Sequence, residues 1–186
     1  MEKQIILIRH CEAEGQEPHA PLTRNGENQS LLLSKLLSEH KVDKIISSPF
    51  KRAIKTIEHF SNVSGINIEI DSRLSERILS ASPLTNWQEL LEHSFRDLDL
   101  KLEGGESSRE AMKRIGAVID EALASDSEHI LVVTHGNLLS LLLKTYDHNI
   151  GYGKWKGLSN PDVYQLQYKE ANVRLKRIWG KNNDEL

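Results

Sequence analysis

The chain has 186 residues, 38% hydrophobic and 27% charged, which excludes disorder-prone, collagen-like and membrane-spanning compositions. With 24 Lys and Arg against 27 Asp and Glu the formal net charge is -3, so no global basic field draws nucleic acid or an anionic membrane surface. The single cysteine, Cys11, excludes an internal disulfide framework and a multi-cysteine zinc site. One domain over 1–186 is expected, intracellular and cytoplasmic. The opening MEKQIILIRH is too short an apolar run for a signal segment, and Arg9 interrupts it.

Short β-branched runs alternate with longer amphipathic ones, with no internal repeat. Ile5-Ile6-Leu7-Ile8 is continuously apolar, as a strand covered on both faces should be. A loop over 14–26 leads into a helix over 26–40 whose leucines fall at helical spacing. Lys44–Ser48 reads as a strand ended by Pro49, and 50–65 as a helix with Ile54, Ile57 and Phe60 on one face and Gly65 as its stop. Ile66–Ile70 alternates apolar and polar residues, the mark of a strand with one exposed face. Residues 82–95 are expected to be helical, with Pro83 near the start, and Trp87, Leu90 and Leu91 to pack a short cap. Gly104-Gly105 breaks the chain before a long helix over 106–125. His129–Thr134 is the clearest buried strand and runs straight into His135-Gly136 and a leucine-rich helix over 137–146. Residues 163–168 and 173–179 read as a hairpin turning at Glu170–Asn172.

This alternation predicts an α/β fold. The expected form is a three-layer α/β/α sandwich on a mainly parallel sheet with right-handed crossovers. The hairpin adds an antiparallel edge, and residues 77–104 form a short helical cap insertion. In such sheets ligands gather at the carboxyl ends of the strands. Past the first strand stand Arg9 and His10; past the second, Ser47, Ser48 and then Arg52; past the third, Glu76; past the last parallel strand, His135. Two histidines, two arginines and a carboxylate are therefore expected on one rim.

Two guanidiniums aimed at one point suit a tetrahedral oxyanion, because their planar forks donate bidentate, charge-assisted hydrogen bonds to phosphate oxygens. A histidine among them can attack phosphorus as a neutral imidazole, since adjacent cations disfavour its protonation. A covalent phosphoryl-histidine splits one hard displacement into two easier ones. The second histidine can donate to an equatorial oxygen, and the carboxyl group can protonate the departing alkoxide. Side-chain cations neutralise the phosphoryl oxygens, so neither metal nor cofactor is called for.

The stretch Leu7-Ile8-Arg9-His10-Cys11-Glu12-Ala13-Glu14 resembles the L-x-R-H-G-E-x motif of the histidine phosphatase superfamily, in its phosphoglycerate-mutase-like branch. Leu22-Thr23-x-x-Gly26, Ser47-Ser48-Pro49-x-x-Arg52-Ala53-x-x-Thr56, Leu74-Ser75-Glu76, Gly105-Glu106-Ser107 and Val132-Val133-Thr134-His135-Gly136 resemble the later signatures, in order. The resemblance implies His10 as phosphate acceptor, Arg9, Arg52 and His135 as phosphate binders and Glu76 as proton donor. It also implies that Gln16, Thr23 and Gly136 contact phosphate or substrate, which is a phosphorylated small molecule. Oligomeric state stays open. Cys11 stands where the family usually has glycine, and is read as a tolerated small residue rather than an oxidation switch. Mutase members carry a hydroxyl residue at the position of Ala13 and Asn at that of Gln16. Their longer insert also carries paired arginines, whereas 77–104 offers only the separated Arg77, Arg96 and Lys101. A phosphatase is therefore favoured over a mutase, and a non-catalytic phospholigand-binding protein is the rival of another class.

Most of the eight histidines need no function, and Arg52 or Glu76 alone would be ordinary surface residues. Only the shared rim lifts them. No G-x-x-x-x-G-K-[ST], G-x-G-x-x-G or G-x-S-x-G element is present. A cysteine phosphatase would need an arginine where Glu17 stands, and a zinc site at His10-Cys11-Glu12 fails because successive strand residues point to opposite faces.

Overall fold

The computed structural model describes residues 2–170 and 172–180. Six strands, β1 (Glu2–Arg9), β2 (Lys44–Ser47), β3 (Ile68–Ile70), β4 (His129–Thr134), β5 (Asp162–Lys169) and β6 (Asn172–Arg177), form one sheet in the order β3-β2-β4-β1-β5-β6. The pairs β3–β2, β2–β4 and β4–β1 are parallel; β1–β5 and β5–β6 are antiparallel. The sheet is thus open and mainly parallel, with the hairpin as its antiparallel edge. The turn expected at Glu170–Asn172 includes Ala171, which lies outside the described residues.

The helices are α1 (Arg24–Leu37), α2 (Lys51–Ser64), α3 (Trp87–Arg96), α4 (Ser108–Ala124), α5 (Gly136–Tyr146) and α6 (Tyr152–Lys156). The strand order explains their layering. From β1 through β3 the chain steps one way across the sheet, and to reach β4 it reverses. Right-handed crossovers therefore send α1 and α2 to one face and α4 to the other. The core divides accordingly. Ile6 and Ile8 of β1 pack with Leu33, Leu37, Ile57 and Phe60, while Ile5 and Leu7 pack with Ile115, Ile119 and the leucines of α5.

Boundaries differ from the sequence reading where a cap or partner decides them. Strand β1 starts at Glu2 because β5 pairs with it along its whole length. Helix α1 starts at Arg24 rather than Gly26, because the Thr23 hydroxyl accepts the Gly26 N–H at 2.9 Å as the N-cap. Residues 82–86 are not helical, so α3 begins at Trp87. The third strand shortens to Ile68–Ile70, and a 3-10 turn over Ser72–Leu74 follows it. Helix α6 was not expected at all.

What matters most for the site is register. Arg9 lies opposite Thr134 in the β1–β4 ladder, and Ser47 lies opposite Val133 in β2–β4. Three parallel strands therefore end almost level, and His10, Ser48 and His135 leave the sheet side by side.

Candidate active site

The His10 N–H donates to the Thr134 carbonyl at 3.1 Å, carrying the ladder one residue past β1. This fixes the ring's origin. The ring's Nδ1 lies 2.7 Å from the Cys11 carbonyl, and Arg52 Nε donates to Nε2 at 3.1 Å. A guanidinium N–H can only donate, so Nε2 carries a lone pair and Nδ1 carries the proton. Burial, reinforced by the charges of Arg52 and Arg9, pushes the imidazole down to about 3, against a favourable contact with the Cys11 carbonyl. His10 is thus held neutral, in one tautomer.

Arg52 sits in the first turn of α2 with its side chain buried. Its Nη1 donates to the Gln16 and Glu17 carbonyls, each at 2.9 Å, and its guanidinium carbon lies 4.9 Å from the centre of the Phe50 ring. Arg9 Nη1 donates to the carbonyls of Leu158 at 2.9 Å and Ser159 at 3.2 Å. Burial lowers both guanidiniums from their ordinary value, and Glu76 is the largest charge opposing that shift in each. Gly136 is needed here. A Cβ on it would stand 3.0 Å from Arg9 Nε, so any side chain would displace the guanidinium.

His135 is fully buried. Its Nε2 lies 2.7 Å from Ser48 Oγ, which also accepts the Phe50 N–H at 3.2 Å. Its ring centre is 5.1 Å from that of His10 and 4.8 Å from that of Phe50. Burial lowers its basicity strongly, helped by His10 and the nearby arginines. At this rim Arg9 Nε, His135 Nδ1 and both amide atoms of Asn137 are buried without a hydrogen-bond partner. Folded proteins pair almost all such groups, and three neighbouring residues with unpaired polar atoms mark a place where a polar ligand fits.

Glu76 follows the 3-10 turn and faces the start of α5. Its Oε2 accepts the Asn137 N–H at 3.0 Å, and Oε1 accepts those of Leu138 at 3.0 Å and Arg77 at 2.8 Å. The Asn137 and Leu138 N–H groups are otherwise orphan donors of the α5 N-terminus, where a carboxylate is also favoured by the helix dipole. The Arg77 side chain is buried and donates to the Glu106 carbonyl at 3.0 Å and to Ser94 Oγ at 2.8 Å. Glu106 in turn accepts from Arg114 at 2.7 and 2.9 Å. This chain of contacts ties the Glu76 loop to α3 and α4. At the rim opens a cavity of about 720 Å³ lined by Arg9, His10, Glu76 and Gly136 together with Ile78, Leu84, Trp87 and Trp155.

The family model described as "Histidine phosphatase superfamily (branch 1)" matches residues 5–180. The chain belongs to this superfamily. A probable phosphoglycerate mutase of Shigella dysenteriae is 28% identical over 188 residues, covering 90% of this chain and 86% of that protein. A candidate phosphoserine phosphatase of Hydrogenobacter thermophilus is 29% identical over 157 residues, covering 76% and 77% respectively. Among solved structures, a mycobacterial glucosyl-3-phosphoglycerate phosphatase superposes with a TM-score of 0.77 at 20% identity, over 98% of this chain and all of that one.

Set in this histidine phosphatase fold, the residues singled out in the sequence fall into two groups. Arg9, His10, Arg52, Glu76, His135 and Gly136 come together. Gln16 lines the cavity, and its backbone carbonyl orients Arg52. Thr23 is held by other contacts: its hydroxyl caps α1 and donates to Glu12 Oε1 at 2.8 Å, and Glu12 lines the cavity. The motif partner of Thr23, Gly26, is structural, since a Cβ there would stand 2.0 Å from the Glu12 carbonyl oxygen. Cys11 is buried, and burial pushes its thiol up to about 12. Its backbone N–H donates to Thr56 Oγ1 at 2.8 Å. Its φ is not positive, so a side chain is accommodated without strain.

Sequence reasoning missed four residues. Asn160 Nδ2 donates to the His10 carbonyl at 2.8 Å. Asn137 donates its backbone N–H to Glu76, and its side-chain amide is buried without a partner. Trp155 and Glu12 line the cavity, and Trp87, expected chiefly as cap packing, lines it as well. Glu12, inside the motif that carries His10, and Asn137, next after His135-Gly136, could have been noticed from spacing; Trp155 and Asn160 sit in segments without periodicity.

Proposed function

We propose that the protein is a metal-independent phosphomonoesterase working through a phosphoryl-His10 intermediate. One observation carries this reading: a buried imidazole whose Nε2 keeps its lone pair because Arg52 donates to it. A phosphate dianion entering the rim takes over that N–H, together with the unpaired Arg9 Nε–H and a nitrogen of His135, and frees Nε2 to attack. The Nε2–P bond forms as the P–O bond to the alcohol breaks, and Glu76, acting in its protonated form, passes that proton to the leaving oxygen. Water then attacks phosphorus as the Nε2–P bond breaks, its proton passing to Glu76. Fixed cations stabilise the charge spreading over the equatorial oxygens without reorganising at the moment of reaction.

The separated cations of segment 77–104 support a phosphatase over a mutase. Arg77 is turned into the Glu106 and Ser94 contacts, Arg96 pairs with Glu92, and Lys101 pairs with Glu110 at 2.7 Å. None of them lines the cavity, so none can grip a second acidic group there. We read 77–104 as a cap on a single domain, because Ile78, Leu84 and Trp87 line the cavity from it. A cytoplasmic location accompanies the reading, and among the described residues no helix is long and apolar enough to cross a membrane.

The test is transfer of label from a ³²P-monoester with a chelator present. The expected outcome is an acid-labile adduct on the wild type that is absent from His10→Ala, with phosphate released. Turnover that requires magnesium and survives His10→Ala overturns the mechanism. Stimulation by a bisphosphate primer identifies a mutase, and binding without turnover identifies a non-catalytic phospholigand protein.

A further inference from the structure

Part of the cavity lining differs in character from the rim, and it bears on what the phosphate is attached to. Trp87, the first residue of α3, and Trp155, in α6, meet there edge to face with ring centres 6.1 Å apart. Trp155 is backed by Tyr152, stacked at 5.3 Å and 28°, so its indole is held in place from one side. Trp87 is 43% exposed and its neighbour on the wall, Ile78, is 59% exposed. Large apolar surface is thus left open to the cavity from two separate elements, and an apolar group bound there would bury it.

Positive charge on the cavity lining is sparse. Among the described residues that line it, Arg9 is the only arginine or lysine, and it belongs to the rim. The carboxylates are Glu76 and Glu12. Hydrogen bonds from Asn25 and Thr23 hold the Glu12 carboxyl below its usual range, so it is ionised at neutral pH and repels a second anionic group. It can still accept hydrogen bonds from hydroxyls, as can the side chain of Gln16 on the same wall.

Resting on the phosphatase reading above, we propose that the substrate is a phosphate monoester of an uncharged, hydroxyl-bearing alcohol that carries an aromatic ring. The ring lies against the indole of Trp155 at the Trp87 edge, and the phosphoryl group sits on the rim. A phosphorylated carboxylic acid is disfavoured, because Arg9, the only arginine or lysine among the described lining residues, serves the phosphoryl group and leaves no second cation for a carboxylate.

The probes are adenosine 5′-monophosphate, glycerol 3-phosphate and 3-phosphoglycerate, all esters of primary alcohols, compared by kcat/KM with a chelator present. The ring-bearing ester should lead 3-phosphoglycerate by about tenfold or more, the scale of one base stacked on an aromatic side chain. Trp155→Ala should cut the ratio of adenosine 5′-monophosphate to glycerol 3-phosphate by about tenfold, and Trp155→Phe should restore most of it. A ratio is insensitive to partial loss of folded enzyme. Equal or better turnover of 3-phosphoglycerate by the wild type overturns the assignment, as does a ratio unmoved by both Trp155→Ala and Trp87→Ala. Hydrolysis of all three esters without preference overturns the substrate class alone. Hydrolysis of none, with no label reaching His10, overturns the phosphatase reading and the assignment with it.

Discussion

The neutral state of His10 has a thermodynamic consequence that can be measured without substrate. The folded-state pKa is about 3 against an ordinary value of 6.5. A depressed pKa means that the unfolded chain binds the proton more tightly. Stability is therefore intact above pH 6.5 and falls as the pH drops from 6.5 towards 3, levelling off below. Between pH 7 and pH 5 one such histidine costs about 2 kcal/mol, because each pKa unit is worth about 1.4 kcal/mol. His135 shifts in the same direction from burial and adds to the loss.

The assay is urea denaturation followed by tryptophan fluorescence at pH 7, 6 and 5, comparing wild type with His10→Gln, which keeps an acceptor for Arg52 but does not titrate. The variant is expected to be less stable at pH 7 and to lose about 2 kcal/mol less than wild type on going to pH 5. With a denaturant slope of about 1–3 kcal/mol per molar, that difference moves the midpoint by roughly 1 M. Wild type and variant falling in parallel between pH 7 and pH 5 would refute the claim that His10 is held neutral by its surroundings.

Two further outcomes follow from buried groups that support the site. Asp162 is fully buried and holds Arg177 at 2.7 and 2.8 Å while accepting the N–H groups of Ser159 and Val163, each at 3.0 Å. Asp162→Ala leaves Arg177 without this partner and should cost about 3–5 kcal/mol of unfolding free energy. Because the Ser159 carbonyl helps hold Arg9, phosphate affinity measured by calorimetry on the folded fraction should fall as well; unchanged affinity would show that this loop does not position Arg9. Cys11, with its thiol pushed up to about 12 by burial, should resist a thiol-directed disulfide reagent at pH 8 in the native protein and react at once in urea. Rapid native labelling would contradict the burial.

Those parts of the fold that bury both faces of a strand were legible in the sequence. Ile5–Ile8 and Ile130–Val133 are unbroken apolar runs, and runs of that kind have one place to go in a layered sheet. The rim followed from topology, since parallel strands must end on the same side, and this alone brought Arg9, His10, Arg52 and His135 together. What stayed hidden depends on contacts with no local period. Helix α6 has five residues, too few for an apolar repeat. Asn160 reaches the His10 carbonyl across a separation of 150 positions. Asp162 and Arg177 meet only because β5 and β6 pair. Thr23 is ambiguous for a different reason: a hydroxyl three residues ahead of Gly26 suits a helix cap as well as it suits a ligand, and the structure shows the cap.

The way the two rim arginines are held bears on why this arrangement can bind a dianion. Many arginines away from the rim are met by carboxylates: Arg73 by Asp71 and Glu121, Arg109 by Asp99, Arg114 by Glu106 and Arg177 by Asp162. Arg9 and Arg52 are instead oriented by backbone carbonyls, two for each Nη1. A carbonyl fixes the direction of a guanidinium without cancelling its charge, whereas a carboxylate partner would have to be displaced or left beside the incoming phosphate. Glu76, whose charge acts on both guanidiniums, has its oxygens turned to the N–H groups of Arg77, Asn137 and Leu138 rather than to either guanidinium. The site therefore keeps two aimed positive charges in a buried setting, where electrostatic attraction is strongest. Burial is the larger reason that His10 stays unprotonated, and the same two charges reinforce it, so on the proposed reading the setting that favours a dianion also keeps the nucleophile's lone pair free.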